Sequence, residues 1–563
     1  MATTKRAYVA LAALFVLLAV GRVLLSYKHT AQGFDEPCHV AAGIEFLDRH
    51  TYTLDPIHPT LARVAIALPL YLAGERLPKL EPPASLNYNA VGDAILNDSG
   101  HYLRNLFLAR IGMLPFLLLG SAVVFLWARR EYGELAGVMA VALFTTIPSV
   151  LAFSSIAYTD MAAAATQALA FWALSTWLKR NDSRSAAWLG LAAGLTLLAK
   201  TTALIFLPAC GASVALVKWW LTRDKVTNHP GPWSYSKQLA LAGVIAVVVV
   251  WAGYGFSVGR VDESMNLSPA SMPEFRSFPA PVANIGRRLI LSDPEVPVPA
   301  LIKGLANIWA INGSQPQTYL LGRIKRGGWW YFFLVAVAVK SPIPFLILVA
   351  VGLFALRDSL KEGRWTAIVP AVCAAAVLLV TMPAKINYGV RHVLVIFPLF
   401  AIVAGSGCSY LWHRRDGHRK FVRAALVAML LWQGISTLRA SGDYLAYFNE
   451  LAGKDPSKVL VAGCDLDCGQ DLFGLAEELQ RRQVSHVTLA LWTSADVGKM
   501  DLPAFDVAQP FQPATGWFAI SLRALRFGDL FHSTYPPGAF AWLDRYQPVA
   551  RVGKTILLYH IPE

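Results

Sequence analysis

The sequence contains few charged residues and few cysteines. Asp, Glu, Lys and Arg make up only 15% of its 563 residues, whereas 55% are hydrophobic and the mean hydropathy is +0.45. Soluble proteins carry about 25% charged residues, so this composition excludes an ordinary soluble enzyme and indicates a membrane protein. The six cysteines are too few for a disulfide-rich secreted domain, and three of them lie within apolar runs.

Acidic residues are scarcer than basic ones. The chain has 36 Asp and Glu against 50 Lys and Arg, which gives a formal net charge of +14. The cations fall on every second loop between apolar runs, for example at Arg129 and Arg130, Lys179 and Arg180, and Arg414. Cytoplasmic loops of membrane proteins have this bias. The charge therefore indicates topology, with membrane lipids as partners and no nucleic acid.

Apolar runs that could cross a bilayer recur along most of the chain. The predicted spans are 7–25, 106–128, 134–151, 161–178, 186–199, 201–217, 237–256, 329–354, 365–382, 391–410 and 421–438. We interpret the first run as an uncleaved helix, because no convincing cleavage site of a signal peptide follows it. The expected protein is a polytopic α-helical membrane protein with about eleven transmembrane helices, a cytoplasmic N-terminus and an extracytoplasmic C-terminus.

Two long loops and the C-terminal part of the chain are predicted to lie outside the membrane. The membrane domain covers residues 1–440 and includes extracytoplasmic loops at 26–105 and 257–328. Within the first loop, residues 61–74 have the pattern of an interfacial or re-entrant helix. Residues 441–563 combine strand-like runs at 459–462, 487–492, 516–522 and 555–560 with a helical pattern at 471–482, which predicts a small α/β domain.

This topology collects ionisable residues at the outer ends of the helices. They are Asp35, Glu36, His39, His58, Asp160, Lys200, Lys385, Arg391 and His392. Each has a simpler interpretation when taken alone: a solvated boundary residue, a helix cap at Asp160, or a lysine that reaches the interface at Lys200. Together they suit a reaction between a hydroxyl and a lipid-linked phosphate, because a carboxylate can accept the proton and cations can neutralise the phosphate.

A series of motifs resembles one family along nearly the whole chain. In order they are F-D-E-P-C-H at 34–39, D-P-I-H-P-T at 55–60, T-D at 159–160, G-L-T-L-L-A-K at 194–200, V-K-S-P-I-P at 339–344, N-Y-G-V-R-H at 387–392 and L-D-C-G-Q-D-L at 466–472. The series is similar to the phospholipid-carrier-dependent glycosyltransferases, which include the protein O-mannosyltransferases and the aminoarabinose transferase of lipid A. The resemblance implies the GT-C fold and a polyprenyl-phosphate-linked sugar as donor.

The resemblance also implies roles for individual residues. Asp35 matches the catalytic base, and Asp160 matches an acid that shapes the same pocket. Glu36 matches a second acid, which orients Asp35, contacts the acceptor or binds a metal. The expected contacts to the donor phosphate come from Lys200, Arg391, His392 and His58, with His39 and Lys385 in support. No cofactor is required by this scheme, and a divalent metal with unknown ligands stays open.

The chain departs from the family pattern at its C-terminal motif. Gly463, Cys464, Asp465 and Cys468 stand where a related bacterial branch carries Asp, Ser, Asn and Trp. Two cysteines in an oxidising compartment suggest a disulfide, although a spacing of four residues makes the geometry demanding. The pairing of Cys464 with Cys468 stays open at this point.

The predicted function is an inverting glycosyltransferase of the bacterial inner membrane. It would move a sugar from a polyprenyl-phosphate donor to a hydroxyl of a protein, lipid or polysaccharide on the extracytoplasmic side. The alternative is a transporter or flippase of a lipid-linked or anionic solute. Transporters usually place ionisable residues near the bilayer midplane and contain repeats, whereas here the charges lie at helix ends and no repeat is visible. A third alternative is an envelope assembly protein that keeps the fold without the activity.

Overall fold

A computed structural model describes residues 2–80, 87–223, 232–260, 295–461, 463–527 and 535–562. Its helices are α1 (Ala2–Ser26), α2 (Glu36–Arg49), α3 (Thr60–Leu72), α4 (Tyr88–Asn97), α5 (Tyr102–Ile111), α6 (Leu114–Tyr132), α7 (Glu134–Phe144), α8 (Pro148–Ser155), α9 (Asp160–Arg180), α10 (Ser183–Ala199), α11 (Ala203–Thr222), α12 (Pro232–Gly253), α13 (Pro299–Gly313), α14 (Phe332–Lys340), α15 (Ile343–Lys361), α16 (Trp365–Thr381), α17 (Ile396–Trp412), α18 (Arg419–Arg439), α19 (Leu472–Arg481) and α20 (Leu522–Arg526). The strands are β1 (Val258–Arg260), β2 (Glu295–Pro297), β3 (Gln317–Leu320), β4 (Arg323–Arg326), β5 (His486–Ala490), β6 (Ala504–Val507), β7 (Gly516–Ser521), β8 (Ala550–Val552) and β9 (Ile556–Ile561).

Each of the eleven predicted spans coincides with one helix or with a pair of consecutive helices. Within the described residues, six helices are long and apolar enough to cross a membrane by themselves: Lys5–Ser26, Tyr102–Tyr132, Ala203–Thr222, Trp233–Gly253, Ile343–Lys361 and Arg419–Arg439. If α7 and α8, which are bent by 62° relative to each other, are counted as one span, these residues contain up to seven spans. Pro148 at the start of α8 accounts for the break, since proline cannot continue the hydrogen bonding of a preceding helix.

The number of self-sufficient spans is smaller than eleven because several helices are enclosed by others. Helix α9 buries fourteen of its 21 residues and α17 buries twelve of its 17. A helix that contacts protein on most of its surface does not need the uniform apolar composition of a lipid-facing one. Helices α9 and α17 therefore lie in the interior of the bundle, whereas α10 and α16 have only 17 residues each.

The first predicted loop, residues 26–105, folds largely into helices. The predicted helix at 61–74 is α3, which packs closely on α2 and on the start of the Tyr102–Tyr132 helix. Helix α2 in turn packs on α4, where a Cβ at Gly92 would collide with the carbonyl oxygen of Pro37. Only glycine permits this approach. Asp35 immediately precedes α2, so this packing fixes the place of the predicted base.

The second predicted loop, residues 257–328, is described only in part. Residues 261–294 lie outside the described residues. The remainder holds the hairpin of β1 with β2, helix α13, and the antiparallel pair β3 and β4. Helix α13 approaches the first loop at Gly304, where a Cβ would collide with the carbonyl oxygen of Pro56.

A five-stranded sheet organises the C-terminal part. Its strand order is β6-β5-β7-β9-β8, with β5 parallel to both β6 and β7, and β9 antiparallel to both β7 and β8. The predicted strands at 487–492, 516–522 and 555–560 coincide with β5, β7 and β9, and the predicted helix coincides with α19. Phe518, Ala519 and Ile520 are all fully buried, because β7 is central and covered on both faces. The boundary at residue 440 stays a prediction, one residue after α18 ends.

The predicted strand at 459–462 is wrong over its described part. Val459, Leu460 and Val461 follow a 3₁₀ turn, Pro456–Lys458, and form no strand; Ala462 lies outside the described residues. The turn forms because the Asp455 side chain accepts hydrogen bonds from the backbone and hydroxyl of Ser457. The apolar character of the run instead reflects burial against the rest of the chain.

Candidate active site

Asp35 is partly exposed, and one of its two carboxylate oxygens is bound by a cation. Its Oδ2 accepts a hydrogen bond of 2.6 Å from Nη1 of Arg391, and 28% of its side chain is exposed. Among the described residues, none donates to Oδ1. The Asp35 amide donates to the Tyr158 hydroxyl at 2.8 Å, which fixes the backbone at the start of α2. The residue therefore presents an oriented, accessible carboxylate oxygen.

Glu36 is fully buried and all of its acceptor positions are in use. Its Oε1 accepts from Arg110 Nε at 2.9 Å and from the Ala157 amide at 2.7 Å, while Oε2 accepts from Arg110 Nη2 at 2.8 Å and from the Gly33 amide at 2.7 Å. Arg110 is also fully buried and completes its bonds on the carbonyl oxygens of Thr30 and Ala31. The pair joins three separate segments directly behind Asp35.

Asp160 and Lys200 form a second ion pair. The Lys200 ammonium lies 2.5 Å from Oδ1 of Asp160, and both side chains are more than nine-tenths buried. Asp160 is the first residue of α9, whereas the N-cap position is Thr159, so its carboxylate binds the lysine rather than capping the helix. Lys200 follows the last residue of α10. Each charge is thereby compensated by the other, at the start of α9 and the end of α10.

Arg391 and His392 lie on a short 3₁₀ helix, Val390–Val393, before α17. The guanidinium of Arg391 binds Asp35 and sits over the ring of Tyr158, 5.4 Å from its centroid. The imidazole of His392 stacks on Phe333 with centroids 6.4 Å apart. Lys385 is half-buried in the turn before this helix. Arg391 thus contacts Asp35, whereas His392 contacts Phe333.

His39 and His58 form an edge-to-face pair with ring centroids 5.3 Å apart. His39 Nδ1 accepts a hydrogen bond of 3.1 Å from Arg63 Nε, so the ring is neutral with its proton on Nε2. Burial, reinforced by the positive charge of Arg63, lowers the pKa of both histidines well below the ordinary value. Arg63 itself is fully buried in an ion pair with Asp55. The two imidazoles are therefore uncharged polar groups beside the site.

Tyr158 contacts both His39, with ring centroids 5.6 Å apart, and Arg391, and the charges of Asp160 and Lys200 act on these two residues. The structure thus brings Asp35, Asp160, Lys200, Arg391, His39 and His58 into one cluster. Within the described ranges, no group of three or more His, Cys, Asp or Glu side chains is arranged to hold a metal ion. The carboxylates of Asp35, Glu36 and Asp160 are each paired with a cation instead.

Several residues of the cluster were not singled out from the sequence. Arg110 and Arg63 are the buried partners of Glu36 and Asp55, and Tyr158 binds the amide of Asp35. Arg110 could have been noticed, because an arginine within a predicted apolar span requires a partner. Tyr158 carries no such signal, since a tyrosine beside a helix start is common in any membrane protein.

Cys464 and Cys468 are joined by a disulfide, and both are buried. Their sulfur atoms lie 3.3 and 3.1 Å from the Tyr158 hydroxyl. The remaining acids of the L-D-C-G-Q-D-L motif bind backbone amides: Asp467 accepts from Arg523 at 2.9 Å, and Asp471 accepts from Thr555 at 2.8 Å. The motif therefore links the C-terminal sheet to the residues behind Asp35.

Comparison with solved structures finds similar membrane proteins. The S. cerevisiae protein O-mannosyltransferase Pmt1-Pmt2 complex bound to its sugar donor is 11% identical, over 78% of this chain and 90% of that chain, with a TM-score of 0.53. ArnT from Cupriavidus metallidurans bound to undecaprenyl phosphate is 14% identical over 97% of each chain, with a TM-score of 0.49. At these identities the similarity to the yeast complex shows a common fold.

The protein has the GT-C fold of multi-pass membrane glycosyltransferases, and the resemblance found in its motifs is confirmed. More particularly, residues 103–252 match the family described as dolichyl-phosphate-mannose-protein mannosyltransferase. A search of curated proteins finds no match. The family match points to a glycosyltransferase.

Proposed function

We propose that this protein is an inverting glycosyltransferase that moves a sugar from a polyprenyl-phosphate donor to an acceptor hydroxyl, with Asp35 as the general base. The single observation that carries the proposal is the state of Asp35. Its Oδ2 is anchored on Arg391, its Oδ1 is open among the described residues, and its side chain is 28% exposed. The family match at residues 103–252 supports a lipid-phosphate donor.

The proposed reaction is a direct displacement at the anomeric carbon. The acceptor oxygen forms the new glycosidic bond while the bond from that carbon to the phosphate oxygen breaks, and Oδ1 of Asp35 takes the hydroxyl proton. The bonding pair leaves on the lipid phosphate. Phosphate is a good leaving group, so no protein acid is required. Attack opposite to the leaving group inverts the configuration of the sugar.

Arg391 and Lys200 are proposed to bind the departing phosphate. Each is paired with a carboxylate, Arg391 with Asp35 and Lys200 with Asp160. Guanidinium and ammonium groups stabilise the charge that develops on phosphate oxygens. His58 lies within the electrostatic reach of both cations, so its imidazole is proposed as a further, uncharged phosphate contact, with His39, His392 and Lys385 in support.

Glu36 is proposed to position the base. Of the three roles that the sequence leaves open, an orienting role is the one that its contacts favour, because both oxygens are already fully bonded to Arg110, Gly33 and Ala157. Gly33 immediately precedes the segment of Asp35, so the carboxylate of Glu36 fixes the turn that presents Asp35.

The proposed location is the bacterial inner membrane, with the site and the C-terminal sheet on the extracytoplasmic side. The positive loops at the opposite ends of the helices support this orientation. Lipid-linked sugars can reach such a site laterally from the bilayer, and the acceptor is a protein, a lipid or a polysaccharide.

The experiment separates transfer from transport. The purified protein is placed in proteoliposomes with radiolabelled polyprenyl-phosphate mannose and with a membrane extract as acceptor. The proposal expects release of polyprenyl phosphate together with label in the acceptor fraction. Movement of intact donor across the vesicle membrane without cleavage would instead establish the transporter. Neither event, with polyprenyl-phosphate hexoses and pentoses as donors, would contradict both functions.

A further inference from the structure

One loop of the C-terminal part contacts the segment that carries Asp35. This disulfide loop, Gly463–Gln470, contains the bond between Cys464 and Cys468. The Phe34 amide donates to the carbonyl oxygen of Cys468 at 3.0 Å, and the Ala31 amide donates to that of Gln470 at 2.9 Å. The chain immediately before Asp35 therefore runs along the disulfide loop.

The Tyr158 hydroxyl connects the disulfide to Asp35. It accepts the hydrogen bond from the Asp35 amide at 2.8 Å and lies 3.1 Å from the Cys468 sulfur and 3.3 Å from the Cys464 sulfur. Bonded sulfurs carry no hydrogen, so the tyrosine proton points to them and its lone pairs face Asp35. Burial raises the pKa of Tyr158, which keeps this proton in place.

The same loop also contacts the turn that carries Arg391. The Asp465 carboxylate accepts hydrogen bonds of 2.9 and 3.1 Å from the Val390 amide, directly before Arg391. Gly463 has a positive φ of 59°, and a Cβ there would collide with the carbonyl oxygen of Tyr388. The segment that carries Asp35 and the turn that carries Arg391 therefore both contact the same short loop.

We infer that the Cys464–Cys468 disulfide is a positioning element of the active site, which holds Asp35 and Arg391 in the arrangement needed for transfer. The inference rests on the proposed function, because it takes Asp35 as the base. An added phosphine supplies the two electrons and becomes the phosphine oxide with an oxygen from water, and water supplies the two protons, so the disulfide is reduced to two thiols. A thiol hydrogen can then compete for the lone pairs of Tyr158, and the loop loses its covalent closure.

The expected effect falls more on turnover than on donor affinity. A displacement of a catalytic group by about 1 Å costs up to about 100-fold in rate. We expect kcat to fall by about 10- to 100-fold on reduction, with a smaller change in KM for the donor, because Lys200 still binds the phosphate while Arg391 is displaced. A purely structural role would instead lower the yield of folded protein without this separation of kcat from KM.

The experiment compares the full-length wild type before and after treatment with a phosphine reductant, with peptide mass mapping of the state of both cysteines. The matched control is Cys464→Ser/Cys468→Ser, whose kcat should be low at the outset and insensitive to reductant. Tyr158→Phe tests the contact by a second route. Hydrogen–deuterium exchange of the peptide with Phe34 and Asp35 should be faster after reduction, whether or not transfer is followed.

The outcomes separate this inference from the proposed function. Absence of transfer by the oxidised wild type contradicts the proposed function. Transfer that is equally fast in the wild type, in the double serine variant and in Tyr158→Phe contradicts the inference alone, as does unchanged exchange at Asp35. If gel filtration shows that reduction unfolds the protein, the kcat of Tyr158→Phe is the test instead. A kcat equal to that of the wild type in this variant overturns the positioning role.

Discussion

Nη1 of Arg391 lies 2.6 Å from Oδ2 of Asp35, although the two residues are 356 positions apart in the chain. The contact joins the turn before α17 to the start of α2. It places a permanent positive charge beside the proposed base and leaves the other carboxylate oxygen accessible. A base and a phosphate-binding cation thus occupy the same corner of the protein.

Substitutions of Arg391 should impair transfer according to how much of the charge and donor geometry of the guanidinium they remove. Arg391→Gln removes the charge and should lower kcat/KM on the order of 100-fold, by analogy with the loss of other groups that stabilise developing charge. Arg391→Lys keeps the charge without the planar donor geometry and should be intermediate. Steady-state kinetics with the lipid-linked donor checks this. Arg323→Gln on the exposed strand β4 is the control, and equal rates for it and for Arg391→Gln would argue against the role.

Glu36→Gln should destabilise the fold, unlike a substitution at Asp35. Glu36 and Arg110 are both fully buried, and removing one charge of a buried pair costs about 3–5 kcal/mol. Thermal unfolding in detergent measures the loss. Glu36→Gln/Arg110→Gln should recover part of the stability, because no uncompensated charge remains. A melting temperature for Glu36→Gln equal to that of the wild type would show that the pair is not buried as described.

Substitutions of Lys200 and of Asp160 should have similar effects on stability but different effects on donor binding. Lys200→Gln and Asp160→Asn each break the same buried ion pair and should lower stability to a similar extent. Only the lysine is proposed to contact the donor phosphate, so Lys200→Gln should raise KM for the donor more than Asp160→Asn does. Kinetics on the two folded variants tests this, and equal KM values would remove Lys200 from the phosphate site.

Stability should fall as the pH drops below about 6.5. Burial lowers the native pKa of His39 and His58, so the unfolded chain takes up protons below its ordinary histidine pKa while the native protein does not. Each histidine then lowers the free energy of unfolding by about 1.4 kcal/mol per pH unit until the native pKa is reached. Melting temperatures between pH 7.5 and 5.5 measure the effect. His39→Gln/His58→Gln should show a weaker dependence, and an identical dependence would contradict the assignment.

The sequence predicts that the site residues lie on one side of the membrane, because consecutive transmembrane helices run in alternating directions. Positive loops assign alternate helix ends to one side, so Asp35, Asp160 and Arg391 were expected on the same side without any knowledge of packing. Which residue binds which was not predictable. The Glu36–Arg110 pair depends on how α5 packs on α3 and α4, and the Arg391–Asp35 pair depends on a turn whose position is set by Asp465.

The local limits of prediction have similar causes. The predicted span at 329–354 is two helices separated at Ser341 and Pro342, and the proline marks the break once the structure is known. The run Val459–Val461 has strand-forming residues but follows a proline turn. Strands β6 and β8 are short, lie at the edges of the sheet and carry little periodic signal.

Transfer by Asp35→Asn is the most direct test of the central claim. The substitution keeps the size of the side chain and removes its capacity to accept the proton, and Asp98→Asn at the exposed end of α4 serves as the control. With both variants folded and inserted, transfer from radiolabelled polyprenyl-phosphate sugar should be lost on the order of 100-fold or more in Asp35→Asn and retained in Asp98→Asn. Undiminished transfer by folded Asp35→Asn would contradict Asp35 as the base.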